Sequence, residues 1–190
     1  MTLEDDIENI SLHLSRKQKD FDKVMELSRD IIRDAGQTIT FLHNNDRAAA
    51  KKRLSEMTRR ANELMKTDSD FKYHTQQAYQ EYVEALAFYQ IKTGKRLPSV
   101  EQAGVVPESY LLGLMDVVGE LKREVLEALR KNDVKSAEQY FEMMENIYDT
   151  TRRLRFAEAV LSGFRKKQDV ARIQIENAGS EILMFKGRRK

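Results

Sequence analysis

Proline appears only twice in this chain of 190 residues, at Pro98 and Pro107, and the pair brackets the short run PSVEQAGVVP. Proline removes a backbone donor and clashes with the preceding helical turn, so its scarcity leaves every other stretch free to be helix. Ala, Glu, Lys, Leu, Arg and Met dominate those stretches, and they lose least conformational freedom on entering a helix. No alternating apolar and polar run, internal repeat or low-complexity tract is present. The expected fold class is therefore all-α: an antiparallel multi-helix bundle of about six or seven helices joined by short connections.

Punctuation residues place the helices. The first opens at TLEDD with Thr2 as its N-cap, and carries Leu3, Ile7, Ile10, Leu14, Phe21, Val24, Leu27 or Ser28, and Ile31 as an inward stripe. It has a weak point at Gly36 and breaks at HNND. A second helix begins near Asp46, with Leu54, Met57, Ala61 and Leu64 inward and Lys51, Lys52, Arg53, Arg59 and Arg60 largely outward. TDSD offers caps for a third, which ends at TGK, where Gly94 suits a left-handed C-terminal position. The prolines mark the longest irregular connection. A fourth helix starts near Pro107 with Leu114, Val118, Leu121, Val125 and Leu129 as its stripe. Asp133 caps a fifth, with Ala137, Phe141, Met144 and Tyr148 inward, and a sixth runs to about Phe185. This makes one helical domain over residues 1–185 and a basic tail, KGRRK, at 186–190.

A chain of this length buries a core without covalent staples. Cysteine is absent, which removes disulfides and thiolate metal sites and fits a reducing compartment; a cytoplasmic location is expected. No apolar run approaches the roughly 20 residues of a membrane span, and MTLEDDIENI is acidic where a signal peptide would be basic. The formal charge of +2 neither demands nor excludes a polyanionic partner, so the distribution of charge matters more than its total.

One segment departs from the rest. AYQEYVEALAFYQI, residues 78–91, contains no lysine, arginine or aspartate in a chain that is 34% charged, yet it holds Glu81 and Glu84. On a helix, Tyr79, Tyr82, Val83, Leu86 and Tyr89 form one apolar face and the two acids lie roughly opposite. Their neighbours are Ala78, Ala85, Phe88 and Ile91 rather than bases, so the helix reads as buried on both sides. Two carboxylates about one turn apart in such surroundings cost several kcal/mol unless a cation or strong hydrogen bonds compensate. Basic residues of a neighbouring helix would do so, and so would a metal ion. A di-iron bundle site needs Glu-x-x-His pairs, but Ile10, Thr40 and Phe71 stand three before His13, His43 and His74. An all-oxygen site favours a hard ion such as Mg2+ or Mn2+, which commonly serves phosphate chemistry. Further acids must come from other helices: Glu145 and Asp149 edge the fifth helix's stripe, and Asp116 and Glu120 flank the fourth's. Each of these taken singly is more often a solvated helix residue.

The segments QEYVEALAF at 80–88, YLLGLMDVVGELKR at 110–123, IYD at 147–149 and RIQIENAGSEI at 172–182 are similar, in order and over most of the chain, to the translin and Trax family. The two glutamates of QEYVEA resemble the Trax branch in particular, since translin lacks them. The resemblance implies an all-helical bundle that assembles into a hollow particle of roughly eight subunits; eukaryotic Trax shares its particle with translin, and a homo-oligomer is the preferred arrangement here. The resemblance also implies binding of RNA and single-stranded DNA, and Mg2+-dependent endoribonuclease activity; the oxygen-donor chemistry above admits Mn2+ as well. The family's acidic site carries over to Glu81, Glu84 and Asp149, as both catalytic and metal-holding residues; Glu120 matches a position that translin shares and is a supporting candidate, as is Glu145 from its place one turn before Asp149. Thr150 and Thr151 stand after IYD where the family pattern has a glycine and an aromatic. The alternative within the family is a non-catalytic, translin-like RNA or single-stranded DNA binder.

A bound strand also needs its phosphates held. KKR at 51–53, Arg59 and Arg60, Arg152 and Arg153, and RKK at 165–167 are the candidates, with Arg152 and Arg153 closest in sequence to Asp149. Any one cluster reads equally as a solvated helix face. No Ser-His-Asp arrangement or Gly-rich phosphate loop is present, and His74 reads as an ordinary helix-start histidine.

Overall fold

The computed structural model of the chain describes residues 2–68 and 70–187. Its helices start where the sequence offers caps. Thr2 opens α1 (Leu3–His43) with a reciprocal capping box to Asp5, and Asp46 accepts from the Ala49 N–H to open α2 (Arg47–Thr67). α3 (Lys72–Lys92) follows, and it begins at Phe71 with no side-chain cap, so the acids of TDSD do not serve it. Asp68 instead turns inward, accepting from Thr75 Oγ1 at 3.0 Å and Tyr79 Oη at 2.8 Å. Pro107 is the first residue of α5 (Pro107–Arg130), and Asp133 caps α6 (Val134–Thr151). α7 (Phe164–Gly187) closes the fold.

The connection spanned by the prolines is not wholly irregular. Ser99 and Gln102 form a capping box on a single turn, α4 (Val100–Ala103), which ends at Gly104 with φ 71°. The longest stretch without a helix is instead residues 152–163, between α6 and α7. That stretch contains no proline, and only Gly163, with φ 75°, marks its end in backbone terms.

Neighbours in sequence pack antiparallel: Lys23 pairs with Glu63 and Asp34 with Arg60 across α1 and α2. α3 and α5 run parallel, because the 93–106 crossover returns the chain to the same end before α5 begins. The register is visible in two contacts, Gly113 against Gln80 and Val83, and Lys92 on Glu124. α3 therefore lies between α1 and α5. Ala78, Val83, Ala85 and Phe88 are fully buried, which confirms that this helix is covered on both sides.

The first turns of α1 depart from the expected inward stripe. Leu3, Ile7, Ile10 and Leu14 are each more than half exposed, and burial begins only at Val24. A helix of 41 residues is about 60 Å long and overruns its neighbours. It meets the rest of the bundle at Lys17 and Phe21, which pack on Phe71. Periodicity shows which face of a helix is apolar but not whether anything covers it. α1 also passes through Gly36 without a break, and α7 takes in Lys186 and Gly187 of the expected tail. Arg188, Arg189 and Lys190 lie outside the described residues.

Candidate active site

Gly113 determines how close the two site-bearing helices come. A Cβ at this position would lie 2.6 Å from the Gln80 carbonyl oxygen and 2.8 Å from Val83 Cβ, so only glycine permits this approach. One turn beyond Gly113 on α5, Asp116 faces Glu81 and Glu84 of α3. The start of α7 closes the third side with Lys166, Lys167 and Gln174, leaving a cleft of about 580 Å³.

Electrostatics mark this cleft out. Burial pushes the Glu84 carboxyl up to about 9, reinforced by the charges of Asp116, Glu81 and Glu120 and opposed only by Lys167. Glu81 is raised for the same reasons, burial first and Asp116 next. Asp116 is raised by burial, against which its ion pair with Lys167 works. Lys167 is the one base that pairs with this acid cluster among the described residues.

Asp149 does not join the glutamates. It sits near the end of α6, largely exposed, and pairs with Arg152 at 3.2 Å rather than lining the cleft. Its register on α6 turns it away from the α3–α5 seam, and Asp116 takes the place beside Glu81 and Glu84. Glu145, one turn earlier on α6, is exposed as well. Glu120 lies next to the cleft, felt electrostatically by both glutamates, but its carboxylate bonds to the His43 ring. Among the basic candidates, Arg60 is committed to Asp34 at 2.5 Å and to Asp30 at 3.4 Å. Arg59 is exposed and reaches Glu63 at 3.8 Å, and Arg152 is held by Asp149. Arg153 is exposed, with no ion pair among the described residues.

His43 is a contributor that sequence reasoning did not single out, whereas Lys167 belongs to RKK, named there as a phosphate-holding candidate, and here pairs with Asp116 instead. The spacing of Asp116, Glu120 and Glu124 on one face of α5 could have signalled the first, since three acids in line need a buried partner. No local pattern points to the pairing of Lys167 with Asp116, because the two lie on helices far apart in the chain.

The donor set suits a hard divalent cation, being all carboxylate oxygen. Among the described residues, however, no three acidic or histidine side chains already converge closely enough to ligate one ion. Lys167 supplies to Asp116 the positive charge that an ion would otherwise supply.

The Translin family model matches residues 19–178. The chain belongs to the Translin family. The matched segment contains every cleft residue and leaves out the part of α1 that overruns the bundle. The uncharacterized protein MJ0175 of Methanocaldococcus jannaschii is 32% identical over 185 residues, covering 95% of this chain and 83% of that protein. Among solved structures, AfC3PO in complex with duplex RNA matches with a TM-score of 0.88 at 29% identity, over 96% of this chain and 97% of that one. AfC3PO alone gives 0.87 at 30%, over 96% and 98%. Apo-NeC3PO gives 0.89 at 23% identity, over 97% and 98%, which bears on the fold alone. Like these neighbours, this family member is built entirely of helices among its described residues, and none of them is long and apolar enough to cross a membrane.

Proposed function

We propose that this Translin-family chain is a Trax-type, metal-dependent endoribonuclease that cuts RNA phosphodiester bonds in the α3–α5–α7 cleft. The observation that carries this reading is the convergence of Glu81, Glu84 and Asp116, from two helices, on one cleft rimmed by Lys166 and Lys167. The likeness to a protein solved with duplex RNA supports a nucleic-acid substrate. Glu81, Glu84 and Asp116 are the residues to hold Mg2+ or Mn2+. Once bound, such an ion supplies Lewis-acid polarisation of a phosphoryl oxygen and a water of lowered pKa. Glu84, held protonated by burial, would release its proton when a cation is taken up, since ligation needs the carboxylate form. Lys166 and Lys167 face the cleft as donors to phosphate oxygens, positioning the strand and offsetting charge that develops on it. Arg153 extends the basic surface near the end of α6. The reading includes a particle of roughly eight subunits and binding of single-stranded DNA, both from the family likeness, with a homo-oligomer preferred, and a cytoplasmic setting from the absence of cysteine.

A second reading, RNA or single-stranded DNA binding without cleavage, is favoured by one observation: Asp116 is already neutralised by Lys167 and the acids do not yet converge as ligands. Cleavage of end-labelled single-stranded RNA separates the two readings. Wild type should cut with Mg2+ or Mn2+ and not with chelator, and the Glu81→Gln, Glu84→Gln double variant should bind RNA without cutting. Binding without cleavage by both proteins at every metal concentration overturns the nuclease reading.

A further inference from the structure

Behind the cleft, a row of charged side chains continues along the α3–α5 seam. Asp116, Glu120 and Glu124 follow one another at single-turn spacing on α5. His43, the last residue of α1, inserts between the second and third of these acids. Its Nδ1 donates to Glu124 Oε1 at 2.7 Å, and its Nε2 donates to Glu120 Oε2. With both glutamates ionised they can only accept, and each ring nitrogen then donates one of these two bonds. The other oxygen of Glu124 accepts from Lys92 Nζ at 2.6 Å, and Phe88 packs against the His43 ring with centroids 5.0 Å apart.

Three of these four polar side chains are nearly inaccessible: His43 is 8% exposed, Glu124 7% and Lys92 6%. Burying such a set costs several kcal/mol of lost hydration per ion, and apolar residues would join α1 to α5 at less cost. The row is also asymmetric. One end, Lys92, is sealed inside the bundle; the other end, Glu120, is 24% exposed and lies beside the cleft acids. Everything between acts to hold Glu120 in one rotamer.

We infer that His43 is a positioning residue for the cleft: anchored by Glu124 and Lys92, it fixes the Glu120 carboxylate beside Glu81 and Glu84 and so completes the acidic set that receives a divalent cation. This rests on the metal-dependent reading above. Carboxylates at metal sites are themselves held by hydrogen bonds, and loss of such a partner weakens metal affinity about 10- to 100-fold.

The test is direct binding of Mn2+, without RNA, by electron paramagnetic resonance of the free ion, on wild type and on folded variants checked by circular dichroism. His43→Phe removes both donors and keeps a ring against Phe88; it should weaken Mn2+ binding about 10- to 100-fold. Salt-sensitive RNA binding in chelator should be unchanged. His43→Gln should recover part of the loss, because its amide can donate to Glu120. Mn2+ affinity of His43→Phe within about twofold of wild type, against that expected range, would show that His43 only ties α1 to α5. If His43→Phe does not fold, Glu124→Gln decides the matter. That variant leaves His43 an acceptor but removes its anchoring charge, so it should weaken Mn2+ binding by a smaller, measurable factor, and wild-type affinity overturns the proposal. Wild type that neither binds Mn2+ nor cuts RNA removes the metal-dependent reading itself, and this inference with it. Wild type that binds and cuts, beside an unaltered His43→Phe, removes the inference alone.

Discussion

Replacing Glu84 by glutamine should make the metal-free protein more stable at neutral pH. Glu84 is 9% exposed, and its carboxyl is held at about 9 by burial and by the neighbouring Asp116, Glu81 and Glu120, against an ordinary value of 4.5 in the unfolded chain. The folded state thus binds a proton that the unfolded state has released. A raised folded-state pKa gives stability that is complete below about 4.5 and is lost as pH climbs towards 9. At about 1.4 kcal/mol per pH unit, the interval from 4.5 to 7 removes about 3 kcal/mol. Glutamine resembles the protonated carboxyl and has no such loss. In chelator at pH 7, Glu84→Gln should therefore exceed wild type by about 3 kcal/mol, or about 6–12 °C in Tm for a domain of this size. The two should converge near pH 5. Adding Mn2+ at about 100 times its Kd should raise wild type by about 2.7 kcal/mol and leave the variant unmoved. The assay is urea unfolding followed by far-ultraviolet circular dichroism across this pH range. A variant less stable than wild type at pH 7, or a gap that does not shrink towards pH 5, would refute the reasoning.

Two further substitutions test the scaffold. Gly113→Ala drives a Cβ into the backbone of Gln80, so α5 must shift from α3; thermal unfolding should show a loss of about 1–3 kcal/mol or more, and Mn2+ affinity should fall with it. Gly119→Ala is the control, because its Cβ would meet only the Gln174 side-chain amide, at 3.4 Å, and both readouts should stay near wild type. Asp34→Ala strands Arg60 and Arg53 beside a vacated buried site. Those arginines can partly rehydrate, so urea unfolding should report about 2–3 kcal/mol, below the cost of an uncompensated buried charge.

Much of the architecture follows from local chemistry. The scarcity of proline, the caps at Thr2, Asp46 and Asp133, and the 3.6-residue spacing of apolar positions are enough for the long helices, because each depends on residues within a turn or two of one another. The two acids in QEYVEA stood out for the same reason: a lack of bases around them is visible along one segment.

What surrounds a helix is not local. The same periodic rule placed Leu3, Ile7, Ile10 and Leu14 inward as readily as Val24 and Ile31, although only the latter two have neighbours. The single turn α4 and the irregular residues 152–163 also escaped, since short capped turns and proline-free loops carry weak local signals. At the site, the amino-acid sequence by itself determined that Glu81 and Glu84 share a buried helix. Only tertiary structure decided that Asp116 rather than Asp149 joins them, that Lys167 balances Asp116, and that His43 holds Glu120. The physical reason is that these partners depend on the parallel register of α3 and α5, determined by a crossover and by the absence of a Cβ at Gly113. Register between distant helices is a property of packing that no segment encodes alone.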